Sequence, residues 1–145
     1  MLRRNGWIQV VVIGVALLVA GCGGGSRAED TSEPARVEAI AGTDLLRVIV
    51  TSEAAQRLDI QTAPARAGTG HRTVIPYDAV LYDPNGDTWT YTSPKHLVFV
   101  RQDITVDRID GDRAILSAGP ASGTPVVTVG ATELWGVEYG GIEED

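Results

Sequence analysis

The chain is short of the residues on which most protein chemistry depends. It has one cysteine, one methionine, two histidines and a single lysine, Lys95. One cysteine excludes an internal disulfide framework. A copper or silver site needs several converging Cys, Met or His ligands, and a zinc site needs three or four, so neither a metal nor any other cofactor is expected. His71 and His96 read as exposed loop residues. No Gly-x-Ser-x-Gly elbow presents Ser52, Ser93, Ser117 or Ser122 as a nucleophile, and no glycine-rich loop ends in Lys-Ser or Lys-Thr to hold a phosphate. Carboxylates are plentiful, but Asp83 and Asp87 flank one turn and Asp107, Asp110 and Asp112 cluster at another. Neither group has the spacing or closing Glu of a calcium-binding EF-hand. The chain is not expected to be an enzyme. Basic charge is scarce as well: 12 Lys and Arg stand against 19 Asp and Glu, for a formal net charge of −7. Nucleic acid and anionic lipid surfaces both require clustered Lys and Arg, so neither is expected to attract this surface.

What is present begins with an address. Residues 1–22 read MLRRNGWIQVVVIGVALLVAGC: a short basic start at Arg3-Arg4, an apolar run from Trp7 to Ala20, then small residues ahead of the only cysteine. The run is shorter than the roughly 20 residues a membrane-crossing helix needs, so it reads as a secretory signal and not as a permanent span. Val19-Ala20-Gly21-Cys22 resembles the lipobox of bacterial lipoproteins. The resemblance implies a diacylglyceryl group on the Cys22 sulfur and cleavage just before it. Residues 1–21 are then a lipoprotein signal peptide. The protein is expected outside the cytoplasm, lipid-anchored to the cell membrane within the envelope. Residues 22–43, opening GGGSRAEDTSEPARVEA after the cysteine, are small, polar and acidic without an apolar period, and read as a flexible tether.

From Leu45 onward short β-type runs alternate with turn residues, and the hydrophobic fraction of 43% is ample for a folded core. This predicts an all-β fold, a small β-barrel or sandwich, over residues 44–136, with one short helix and an acidic tail at 137–145. The helix is placed at Ser52–Leu58, capped by Thr51 or Ser52, with Glu53 in its first turn. Two runs, Ala79–Tyr82 and Thr88–Thr92, flank Asp83-Pro84-Asn85-Gly86-Asp87, where Pro84 presets a turn dihedral and Gly86 supplies positive φ. The longest run, LVFVRQDITVDRI at 97–109, returns as RAILSAG after Asp110-Gly111-Asp112. A turn at Asp110-Gly111 would set Arg108 against Arg113. A type II′ turn at Gly111-Asp112 sets Asp110 against Arg113 and Ile109 against Ala114, and is preferred. Alternation puts Trp89 and Tyr91 on the core face of their strand and Thr88, Thr90 and Thr92 on a wet face.

Two stretches carry a family resemblance. LLRVIVTSEAAQRLDIQTAPA at 45–65 is similar to the opening strand, short helix and I-x-T-A strand of the periplasmic adaptor subunits, or membrane fusion proteins, of RND-type efflux pumps. TVIPYDAVLYDPNGDTWTYT at 73–92 and the sequence from Phe99 to Gly136 resemble the family's carboxy-terminal membrane-proximal region. The shared features are the Pro-x-x-Ala-Val entry, the Gly-Asp hairpin and the Gly-Thr-x-Val-Val closing strand. In full adaptors a lipoyl-like domain, a coiled-coil hairpin and most of a β-barrel separate these stretches. Here only RAGTGHR lies between the two, and no heptad pattern occurs. The resemblance therefore implies the membrane-proximal domain alone, and as partner an integral membrane transporter on which the domain docks or which it assists. The alternative is an unrelated envelope lipoprotein with a structural or small-ligand-binding role.

If the domain docks, its contacts belong on loops and exposed aromatics carried by a rigid scaffold. Asp83, Asn85 and Asp87 in the hairpin loop, and Trp135 and Tyr139 beside glycines near the end of the fold, are the residues expected to meet a partner.

Overall fold

A computed structural model of the chain describes residues 33–140. The signal peptide, Cys22, most of the expected tether and the closing Glu143-Glu144-Asp145 lie outside the described residues. The strands, in chain order, are β1 (Ala35–Ala39), β2 (Leu46–Val50), β3 (Gln61–Pro64), β4 (Arg66–Ala67), β5 (Thr73–Pro76), β6 (Leu81–Tyr82), β7 (Thr88–Lys95), β8 (Val98–Asp103), β9 (Thr105–Asp110), β10 (Arg113–Ala118) and β11 (Pro125–Val129). Helix α1 (Ser52–Arg57) follows β2, a 3₁₀ turn covers Tyr77–Ala79, and helix α2 (Ala131–Gly140) follows β11.

Every strand pair is antiparallel. The larger sheet runs β1-β2-β8-β7-β11-β3, with β6 also on β7, and the smaller runs β4-β5-β10-β9. Both sheets end in open edges, so the fold is a sandwich and not a closed barrel. The chain passes from the larger sheet to the smaller at two buried corner residues, Ala65 between β3 and β4 and Ile104 between β8 and β9, and returns between β5 and β6 and between β10 and β11. The run read as one strand over 97–109 is therefore two strands in different sheets. Both corners sit in the aliphatic core between the sheets, with Ile75, Ala79, Ala114, Leu116 and Val126. A second core lies on the opposite face of the larger sheet, where Val48, Val50, Tyr91, Phe99 and Val127 meet Ala54 of α1 and Ala131 and Leu134 of α2.

The local signals act as their chemistry dictates. The Thr51 hydroxyl accepts from the Ala54 N–H and caps α1, with Glu53 in the first turn and Arg57 in the last complementing the helix dipole. In the β9–β10 hairpin Asp110 opposes Arg113 and Ile109 opposes Ala114. Gly111 takes φ 63° while Asp112 does not enter the positive region, as a type II′ turn requires.

Three further expectations change. The segment expected to be tether, 22–43, contributes β1, which pairs with β2 from Ala35↔Val50 to Ala39↔Leu46. The expected tail, 137–145, begins inside α2, whose last described residue is Gly140. The threonine face of β7 is dry: Thr90 and Thr92 are buried, because β7 lies inside the larger sheet and the smaller sheet covers that side. Thr88 and Thr92 satisfy their hydroxyls on the carbonyls of Ile104 (2.7 Å) and Val100 (3.1 Å), whereas the Thr90 hydroxyl has no partner among the described residues.

Candidate functional site

The chain leaves β11 for α2 through Gly130, at φ 88°, where a Cβ would stand 2.8 Å from Ile60 Cγ1. Only glycine allows this turn and this approach together. The helix then presents Ala131, Leu134 and Glu138 to the larger sheet as its buried positions. Two of these are ordinary core residues. The third is a carboxylate with only 2% of its surface exposed, and a buried charge of this kind persists only when paired.

Its partners come from adjacent strands. Tyr91 on β7 pairs in register with Arg101 on β8, so both side chains point to the face that α2 covers. One Glu138 oxygen lies 3.2 Å from Arg101 Nη2, and the other accepts a hydrogen bond from the Tyr91 hydroxyl. Burial, and then the hydrogen bond to Glu138, push the Tyr91 phenol well above its ordinary value. The Arg101 guanidinium lies 4.3 Å from the centre of the Trp89 ring, 5.3 Å from that of Trp135 and 5.5 Å from that of Tyr139, within cation–π range of all three. Trp135 and Tyr139, one helical turn apart, stack on each other at 5.3 Å and 23°. The Arg101 Nε and Trp89 Nε1 groups have no hydrogen-bond partner among the described residues.

This cluster ties α2 to the larger sheet. The Glu138 carboxylate is paired with Arg101 and accepts from Tyr91. Among the described residues, no three His, Cys, Asp or Glu side chains gather as metal ligands. No described helix is long and apolar enough to cross a membrane. What the cluster offers outward is an aromatic surface: Trp135 is half-buried and Tyr139 is 44% exposed.

The other expected contact residues sit at the turn between β6 and β7. The Asp83 carboxylate is turned into its own loop, accepting from the Asn85 and Asp87 N–H groups, each at 2.9 Å. Asn85 and Asp87 remain exposed at the tip. At the base of that hairpin Trp89 opposes Leu81 and carries Arg101 on its ring. Trp135 and Tyr139 are thus brought together, and Asp83, Asn85 and Asp87 form a separate rim.

Sequence reading passed over Arg101, Glu138 and Tyr91 as members of this cluster. One signal was there: Arg101 interrupts the apolar alternation of LVFVRQDITV, and a charge inside a buried strand requires a partner. Compared with protein-family models, with curated proteins and with solved structures, the chain matches none.

Proposed function

We propose that the chain is a lipid-anchored envelope module, akin to the membrane-proximal domain of an efflux-pump adaptor, that docks on the extracytoplasmic surface of an integral membrane transporter. The observation that carries this reading is the Trp135–Tyr139 stack, held over Arg101 by the buried Glu138. Stacked aromatics whose rotamers are already fixed lose little entropy on binding, and such residues anchor interfaces. The exposed Asn85 and Asp87 would supply polar contacts to the same partner from their separate rim. Cys22 would hold the module at the membrane through its lipid.

Two experiments test the reading. Cys22→Ala expressed in a bacterial host loses metabolically incorporated fatty acid; retention of the label refutes the anchor. In membranes carrying the full chain, Tyr139→Ala abolishes cross-linked capture of the transporter while the domain remains folded. Undiminished capture, or unfolding by this substitution, refutes the docking surface.

A further inference from the structure

A cavity of about 390 Å³ opens between α1 and the larger sheet, on the same side of that sheet as α2. Its floor is apolar: Ala55, Ile60, Leu97 and Phe99. Phe99 is 3% exposed and Leu97 is half-buried. Asp59 and His96 lie on the rim. Asp59 is the one carboxylate lining the cavity, no Lys or Arg lines it, and a single hydrogen bond from Gln61 (2.9 Å) engages its Oδ2. The volume falls in the ~300–1,000 Å³ range of small-molecule sites.

The backbone around the cavity is unusual. The two non-glycine residues with positive φ among the described residues, Asp59 at 49° and Leu97 at 61°, both line it. Asp59 has a local reason, since it ends α1: its N–H donates to the Gln56 carbonyl, and the Ile60 N–H to that of Ala55. Leu97 has none of that kind. It occupies the β7–β8 turn, where glycine or asparagine is the unstrained choice. There its side chain reaches the helix-side core and its carbonyl accepts from the Val50 N–H at 3.1 Å. Non-glycine residues held in this region carry strain that recurs at ligand sites.

We propose that this cavity binds a small organic cation with an apolar body, its ammonium group at Asp59 and its hydrocarbon part against Phe99 and Leu97. The choice of sign rests on Asp59 as the only formal charge in the lining and on the net charge of −7, which concentrates cations at the surface. The site is distinct from the aromatic surface on α2 and independent of the docking reading.

The test is titration of the full chain with phenylbutylammonium, phenylbutanol and phenylbutyrate, followed by calorimetry and by the NMR shifts of the Phe99 ring and Leu97 methyls. The cation binds and moves both sets of resonances, the alcohol binds at least tenfold more weakly, and the carboxylate does not bind. Asp59→Asn, which tolerates the same positive φ, weakens the cation at least tenfold and leaves the alcohol unchanged. Gln56→Trp, an exposed helix position on the cavity lining, blocks both. Equal affinity for all three probes, cation binding unchanged in Asp59→Asn, or binding that leaves Phe99 and Leu97 unshifted overturns the proposal.

Discussion

The two faces of the larger sheet are covered in opposite ways. Between the sheets the core is aliphatic and close, and Gly119 lies so near Leu116 that an added Cβ would stand 2.7 Å from Leu116 Cδ1. Beneath α2 the core contains Tyr91, Arg101 and Glu138 as well as Val48, Phe99 and Leu134. Apolar packing is tolerant of small displacements, whereas a buried ion pair is satisfied in one arrangement only. The sandwich is held by shape, while the helix that carries the exposed aromatics is held in register by charge. This specifying role is the one buried ion pairs fill best, since their net stabilisation is small.

Removing one member of the buried pair has the largest expected effect. Glu138→Ala leaves the Arg101 charge buried without its partner and is expected to cost about 3–5 kcal/mol in urea denaturation. Replacing both together, as Arg101→Met with Glu138→Leu, is expected to restore most of that loss but to leave α2 less uniquely placed, visible as broadened Trp135 resonances. Between the sheets, Leu116→Ala is expected to cost about 2–5 kcal/mol through a cavity, and no second substitution of charge can restore it.

The pH dependence separates the faces further. The Tyr91 phenol is raised above its ordinary value of 10.0 in the folded state. Its neutral form is thus favoured by folding, so its contribution is intact below pH 10 and is lost as the pH rises beyond it. Stability above pH 10 is expected to fall by up to about 1.4 kcal/mol per pH unit from this group. Tyr91→Phe flattens that part of the profile, while Leu116→Ala keeps the slope and lowers the whole curve. At the smallest end, Tyr139→Ala at a 44% exposed position is expected to cost about 0.5–1.5 kcal/mol through the lost stack on Trp135.

The two regions were also unequally legible. The β9–β10 register could be read because Gly111-Asp112 and the Asp110–Arg113 pairing agree on one turn. The α1 cap could be read because Thr51 precedes a short alanine-rich helix. Helix α2 could not, because the third residue of its buried stripe is Glu138 where an apolar residue would complete the period, and Gly136 and Gly140 each weaken the local helix preference by about 1 kcal/mol. β1 was hidden because Val37 alone is apolar and branched in Ala-Arg-Val-Glu-Ala, and its strand character comes from pairing with β2. The break at Ile104 carries no glycine or proline; it is a corner made by burial in the inter-sheet core. Of the expected contact residues, Trp135 and Tyr139 were legible as aromatics beside glycines, but the Arg101–Glu138 pair that orients them joins segments distant in sequence.

One measurement addresses the docking account directly. A photo-reactive amino acid is placed at position 139 on α2, or in a second preparation at position 109 on β9, where Ile109 is comparably exposed at 43%. Both full-length proteins are irradiated in intact cell membranes. The account predicts a covalent adduct with an integral membrane transporter from position 139 and none from position 109. Adducts of equal yield from both positions, or an adduct from position 109 alone, would contradict it.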